Sequence, residues 1–437
     1  MNGKKPCWSI APVLLFISSA GFGSGFSISG GTVTVADSAH LNTISDLVIN
    51  TGLLTANNSQ IVVGGNWANS GGSFTPGTST VTLNATTTGK TITSHGSSFY
   101  NLYFNGSGGY WTLQDSMTVL STMTLTQGTL DTNSGGSYAM SVGGGWLNNG
   151  GTFTVNGSTV TFTGSAAQVI NNAGQSFAVL VDSNTSSGGV VFASSFTATG
   201  LAINSAGLAS PTTAYFNAGS TYTITNLTLV GGNGKMVWIR STTNGQAWFL
   251  KNVSTNTVAY VDVEDSNANA GTTIAAGPNS IDSGRNFNWT FMILGITFST
   301  HSYDFGMVNL GATTVSTSPV TITNAGNVTE TYSLAVATTG AKTIWGVGTS
   351  TPTAFNTFVM FGAFNAVQPS STTFGMGDII TSTSTASSAT IFSAGGETGL
   401  SVPAGTDRHL WLRLDMPLTT GTTNQQMMNL TVTAATP

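Results

Sequence analysis

Residues 63–83 read VGGNWANSGGSFTPGTSTVTL, and residues 142–162 read VGGGWLNNGGTFTVNGSTVTF. Trp67 falls on Trp146, Phe74 on Phe153 and Val81 on Val160, at a constant offset of 79. With slips of one residue the match continues, pairing Phe99 with Phe177, Leu102 with Leu180, Met117 with Phe196, Leu125 with Ile203 and Leu130 with Leu208. A fixed period of this length is the mark of a chain built by repeating one structural unit.

Inside the period runs a shorter beat of apolar-polar-apolar triplets: Val81-Thr82-Leu83, Leu102-Tyr103-Phe104, Met123-Thr124-Leu125, one around Val142, and Val160-Thr161-Phe162, at steps of 21, 21, 19 and 18. Alternation with period two puts the flanking side chains on one face of a strand and the middle one on the other. Gly, Asn and Ser clusters such as residues 105–109 and 133–136 separate the triplets and suit turns. Tandem β-sandwich modules or a parallel β-helix with coils of about 20 residues would both produce this pattern. A partial copy favours the β-helix: Leu47-Val48-Ile49, Gly52 and Leu54 match Met123-Thr124-Leu125, Gly128 and Leu130. Half a sandwich would leave its inner face bare, whereas extra coils lengthen a solenoid.

Charged residues make up only 6% of the 437, against roughly 25% in ordinary soluble domains. Hydrophobic content is a normal 40%, so the chain is not of the disordered class, and its surface polarity must come from outward Thr, Ser and Asn. Lys4 and Lys5, an apolar stretch over residues 8–17 and Ser18-Ser19-Ala20 read as a secretory signal over residues 1–20, too short to span a membrane. Cleavage after Ala20 would remove Cys7, the single cysteine, and leave 8 basic against 15 acidic residues. Such a balance, with no basic cluster, argues against nucleic acid as a partner.

Residues 21–46 precede the first recognisable coil and read as an N-terminal cap, with the β-helix over residues 47–291. Between residues 215 and 266 apolar stretches follow at 11 to 13 residues, which leaves hairpins or a polygonal coil with shorter sides both open. Residues 296–437 carry short alternating strands and an Asn-Ala-Gly-Asn turn, the style of a β-sandwich. There Leu410, Leu412, Leu414 and Met416 share one strand face and Met428, Leu430 and Val432 another, while the Ser/Thr-rich residues 370–388 read as loop. The GGNW, GGSF and VTL coils, with VDVEDSNANAGTTI and RNFNWTF, resemble repeats of bacterial secreted and surface proteins of the adhesin and pectate-lyase-like architecture. That resemblance implies a right-handed parallel β-helix. YDFGMVNLGATTVSTSPVTITNAGNVTETYSL is similar to immunoglobulin-like modules of the ASPM, SPD-2 and Hydin type. The expected fold is all-β: a right-handed parallel β-helix followed by a C-terminal immunoglobulin-like β-sandwich.

Charge concentrates at Lys235, Arg240, Lys251, Asp262, Glu264, Asp265, Asp282 and Arg285. With Val261 and Val263 turned inward, Asp262 and Glu264 point outward about 7 Å apart. Asp262, Glu264 and Asp265 are therefore the candidate calcium ligands, or the acidic part of a polysaccharide-acting site; the plainer reading is a solvated face with surface ion pairs. His40, His95, His301 and His409 lack metal-ligand spacing, and no Gly-x-Ser-x-Gly elbow sits between strand and helix. Trp67 and Trp146, at a repeated position, are expected inside the coil. Trp411 alternates out of phase with Leu410 and Leu412 beside Arg413, and that pair is the candidate binding surface of the sandwich if it does not cover its edge. No catalytic set converges. The expectation is a secreted, non-enzymatic structural or adhesive protein of the bacterial cell surface or extracellular matrix. It would meet other surface proteins, copies of itself or glycans, and need no cofactor unless calcium. The alternative is a polysaccharide lyase or hydrolase, or a glycan-binding protein, using residues 235–285.

Overall fold

The computed structural model describes residues 8–10, 15–17, 20–23, 25–277, 279–340 and 343–437. Two compact units divide at Phe291 and Met292.

The first unit is a parallel β-solenoid. Its regular coils have three strands each: Phe26–Ile28, Thr32–Val35 and His40–Thr43, then Leu47–Ile49, Leu53–Thr55 and Gln60–Val63, then Trp67–Asn69, Ser73–Thr75 and Thr80–Leu83. Each strand pairs in parallel with its counterpart one coil away, so the coil has a first, second and third face. Alternation does the sorting: Leu47, Ile49, Ile61 and Val63 are wholly buried, and Gln60, out of phase with Ile61 and Val63 on the same strand, is exposed. Outward positions carry hydroxyls in register, such as Thr34, Thr55 and Thr75 on the second face. About a dozen such layers at the ~4.8 Å inter-strand spacing make this unit roughly 60 Å long.

The 79-residue period is not a whole number of coils. Trp67 lies on the first face between Leu47 and Ile92, Phe74 on the second over Leu54, and Val81 on the third between Ile61 and Leu102. Following the same stack, Leu102 leads to Met123 and Met123 to Trp146, which places the second tryptophan on the third face. Phe153 follows on the first face, over Leu130 and Trp111, and Val160 on the second, over Met140 and Met117. The repeat therefore advances three turns and two further faces, and its second copy is rotated by one side of the prism.

This is possible because the motif carries its own corner. Asn69 and Asn148, both buried, accept the backbone N–H of Gly71 and Gly150 at 3.4 and 3.1 Å, the same Asx turn at two different corners. The next glycine lets coils stack there: a Cβ on Gly72 would lie 2.4 Å from Ile49 Cγ2 and 2.5 Å from the carbonyl of Gly52, and one on Gly151 would lie 2.4 Å from Leu125 Cγ. Gly72→Ala should therefore cost about 1–3 kcal/mol through forced separation of two coils; an unchanged melting midpoint would show that the corner is looser than this.

Within the segment read as a cap, residues 21–46, the strands between residues 26 and 43 make a regular coil. Strands Trp8–Ile10, Leu15–Ile17 and Ala20–Phe22 lie over it, with Trp8 opposite Phe26, Leu15 opposite Val33 and Ala20 opposite Leu41. Part of the stretch read as a secretory signal thus has the register of one more coil; Lys4, Lys5, Cys7, Ser18 and Ser19 lie outside the described residues. Past residue 215 the coils continue in parallel rather than as hairpins, since Thr221–Val230 pairs in parallel with both Trp248–Asn252 and Asn256–Ala259, and the strands lengthen, to ten residues in Thr221–Val230, instead of forming the shorter sides that the spacing suggested. The last layer closes with Trp289–Phe291 on Ile274–Ala276. No helix among the described residues is long and apolar enough to cross a membrane.

Aromatic side chains fill the solenoid axis. Trp146 meets Phe153, Phe177 and Phe162 at 4.8, 5.4 and 6.3 Å between centroids, mostly edge to face. From Phe177 the column runs through Phe196, Phe192 and Phe216 to Trp248, stacked on Phe216 at 4.1 Å. Such contacts add to area burial because ring edges meet ring faces.

The second unit has two mainly antiparallel sheets. One is built on Ile296–Phe298, Val320–Asn324, Asp407–Asp415 and Thr357–Phe364; the other contains Thr385–Ala386, Thr331–Thr339 and Met427–Ala435. Their shared core includes Ile322, Leu334, Val336, Met360, Leu410, Leu412 and Leu414.

Candidate functional site

The charged residues gather at the C-terminal end of the solenoid's third face. Strand Val237–Ser241 pairs with Val261–Val263, and that strand with Ile281–Asp282. Inward Val261 and Val263 are buried, and alternation turns Asp262 and Glu264 outward. Arg240, one coil earlier, reaches both: its guanidinium is 2.9 Å from Asp262 Oδ1 and 3.6 Å from Glu264 Oε2. Arg285, one coil later, pairs with Glu264 at 2.6 Å and, through Nε, with Asp265. Asp265 is almost wholly buried, and its second oxygen accepts the backbone N–H of Gly245 at 2.9 Å. Asp265 first, and then Glu264, push the Arg285 guanidinium above its ordinary value.

These contacts bear on the chemistry read for this region. Asp262 also accepts Ser283 Oγ at 2.5 Å, and Asp282 accepts Asn286 Nδ2 at 2.6 Å and the N–H of Gly284 at 2.9 Å. Each carboxylate is engaged by a guanidinium, a hydroxyl, an amide or a backbone N–H, and the three candidate calcium ligands alternate with arginines instead of converging. Among the described residues no group of three or more His, Cys, Asp or Glu side chains is placed to hold a metal ion. Such a lattice ties adjacent coils together at the end of the stack, where each layer has fewer neighbours.

Not all the expected members join. Lys251 is exposed on another sheet, opposite Thr223, and Lys235 sits in the turn before Val237, bonded through its backbone to Gly232. Trp238, left unassigned by the sequence, stands between Thr213 and Asp262 on the outer third face, 42% exposed. Tyr215, half-buried, lies opposite Arg240 on the same face. A shallow hydroxyl-lined hollow of about 240 Å³ lies elsewhere on the solenoid, bordered by Asn156, Ser176, Thr197, Thr199, Thr223 and Thr225.

Trp411 and Arg413 are not an open surface. Trp411 is 6% exposed, donates Nε1–H to the carbonyl of Asn365 at 2.9 Å, and packs with Phe361, Ala363, Phe374 and Ile379 in a second, smaller core. The Ser/Thr-rich stretch folds over it through Phe374 and Ile379, which makes that stretch a cover rather than a free loop. Arg413 sits 4.3 Å above the Phe361 ring and grips Asp415 through Nε at 2.9 Å and a terminal nitrogen at 2.7 Å.

A buried polar group escaped the sequence reading. Asp182 lies on the second face between Phe162 and Ile203, 2% exposed. Its Oδ1 accepts the Asn184 N–H at 2.9 Å; its Oδ2 has no hydrogen-bond partner among the described residues. Next to it Asn184 donates to Gln168 Oε1 at 2.8 Å, and Gln168 Nε2 donates to the carbonyls of Val142 and Gly144. Burial pushes the Asp182 carboxyl up to about 7, against the pull of the Asn184 N–H. The signal was available: Leu180 and Asp182 share a phase in VLVD, so an inward Leu180 carries Asp182 inward too.

Comparison of the chain with known protein families, with curated proteins and with solved structures finds no match.

Proposed function

We propose that this chain is a secreted, non-enzymatic structural or adhesive protein of a bacterial surface or extracellular matrix, with a C-terminal module of immunoglobulin-like type. The observation that carries this reading is the solenoid itself: an aromatic-aliphatic interior under a hydroxyl-rich exterior that is almost free of charge. The charged lattice at Arg240, Asp262, Glu264, Asp265 and Arg285 is bonded within itself. An acid-base pair for glycoside cleavage needs carboxyls free to exchange protons with a substrate. Purified protein incubated with polyuronates and neutral glycans in the presence of calcium is expected to leave chain lengths unchanged. Release of oligosaccharides that disappears in Asp262→Ala or Glu264→Ala would replace this reading with that of a polysaccharide-acting enzyme.

Exposed Trp238 beside Asp262 favours a second reading, binding of a glycan without cleavage. It predicts saturable binding that Trp238→Ala abolishes while chain lengths again stay constant.

A further inference from the structure

Asn-Gly is the dipeptide most open to attack on itself, because glycine has no side chain to keep its nitrogen away from the neighbouring asparagine amide. The chain carries it at six places. One of these, Asn244-Gly245, stands in an exposed turn closed by the Gln246 N–H on the carbonyl of Thr243 at 3.0 Å, with Gly245 at φ +78°. The turn lies against the charged lattice, and two members of that lattice hold the two groups that would react.

The Gly245 N–H, whose nitrogen is the nucleophile once its proton is lost, donates to Asp265 Oδ2 at 2.9 Å. Asn244 Oδ1, the oxygen of the carbonyl to be attacked, accepts from an Arg285 terminal nitrogen at 3.2 Å. Asp265 is 2% exposed, and its other oxygen is taken by Arg285 Nε. Burial closes it to an outside substrate, but it is already bonded to this internal one. A carboxylate on the proton to be removed and a guanidinium on the oxygen that gains charge are the two aids that ring closure needs.

We propose that Asn244-Gly245 is a self-modification site, where the lattice converts the asparagine to an aspartyl or isoaspartyl residue through a cyclic imide. Asp265 takes the Gly245 proton, the Gly245 nitrogen bonds to Asn244 Cγ, and Arg285 holds the oxygen of the adduct. The Cγ–Nδ2 bond then breaks, and the amide leaves as ammonia with the proton that Asp265 returns. Water opens the imide at either carbonyl, so one water enters for each ammonia lost and no oxidant or reductant takes part. The aspartyl product sets a further carboxylate against Arg285, beside Glu264 and Asp265.

Peptide mapping by mass spectrometry of the full chain, aged at neutral pH, tests this. The molecule holds its own reference in Asn233-Gly234, which is also exposed and in a turn, with no carboxylate or guanidinium bonded to it among the described residues. In the folded protein Asn244 is expected to convert about tenfold faster than Asn233, or more; in denaturant the two rates should converge. Arg285→Lys keeps a cation beside Asp265 but gives up the planar fork that also reaches Asn244, and Asp265→Asn removes the base. Each should bring Asn244 down toward the rate of Asn233 and leave Asn233 unchanged. If Asp265→Asn does not fold, Arg285→Lys and the comparison of folded with denatured chain decide. A folded rate at Asn244 no greater than that at Asn233, or an excess that persists in denaturant or in folded Arg285→Lys, would overturn the proposal.

Discussion

Trp146→Ala is expected to lower the stability of the solenoid by about 3–5 kcal/mol. The indole is fully buried on the third face between Met123 and Ile170, touches three phenylalanine rings, and donates Nε1–H to Asn172 Oδ1 at 3.0 Å. Truncation leaves a cavity in the middle of a stack whose neighbouring coils are held apart by their own backbone pairing, so the void cannot close by collapse. It also leaves buried Asn172 without that donor, a further cost. Thermal or denaturant unfolding of the variant measures the loss; a change near zero would place the ring outside the stack. Trp67 provides a contrast, since its Nε1 has no partner among the described residues: Trp67→Phe should be tolerated better than Trp146→Phe.

The second large effect is a dependence on pH. The Asp182 carboxyl titrates near 7 in the folded chain against 3.8 ordinarily. Between those values the folded state holds a proton that the unfolded state has released, so stability falls as pH rises through that window. The contribution is complete below about pH 4 and gone above about pH 7, and its size is roughly 4 kcal/mol. Asp182→Asn keeps the shape without the charge. It is expected to raise stability at pH 8, to leave stability at pH 4 nearly unchanged, and to flatten the profile between. Unfolding of both proteins across pH 4–8 decides this; parallel profiles would mean that another group is responsible.

Which parts of the molecule were legible beforehand follows from which rules are local. Alternation is local, so the inward faces of Val81-Thr82-Leu83 and Leu102-Tyr103-Phe104, and the outward turn of Asp262 and Glu264, could be read from residue order. The partial copy at residues 47–54 distinguished solenoid from modules because coils add singly. The rotation of the second copy could not be read, since a repeat length says nothing about how many residues each corner takes up. Trp67 to Ile92 takes 25 residues for one turn, whereas Leu47 to Trp67 takes 20. The site divides in the same way. Arg240, Asp262 and Glu264 meet because adjacent coils are near in sequence, but Lys251, equally near, falls on another face. Trp411 was placed on the correct side of its strand by alternation, opposite Leu410 and Leu412, yet its cover, Phe374 and Ile379, comes from a segment with no alternation to follow.

The central claim is that successive turns of one chain stack along one axis, and it can be measured as a distance. Asn42, Val62, Thr82, Tyr103, Thr124, Leu147 and Asn171 follow one another in register on the outer third face. Spin labels at Asn42 and Asn171, in a Cys7→Ser background, stand six layers apart. Pulsed electron paramagnetic resonance should give a single narrow distance of about 29 Å between these sites, apart from the length of the label arms. A broad distribution, or one centred beyond about 40 Å where six layers at this spacing could not reach, would show two independent globules joined by a linker and would contradict the stacked solenoid.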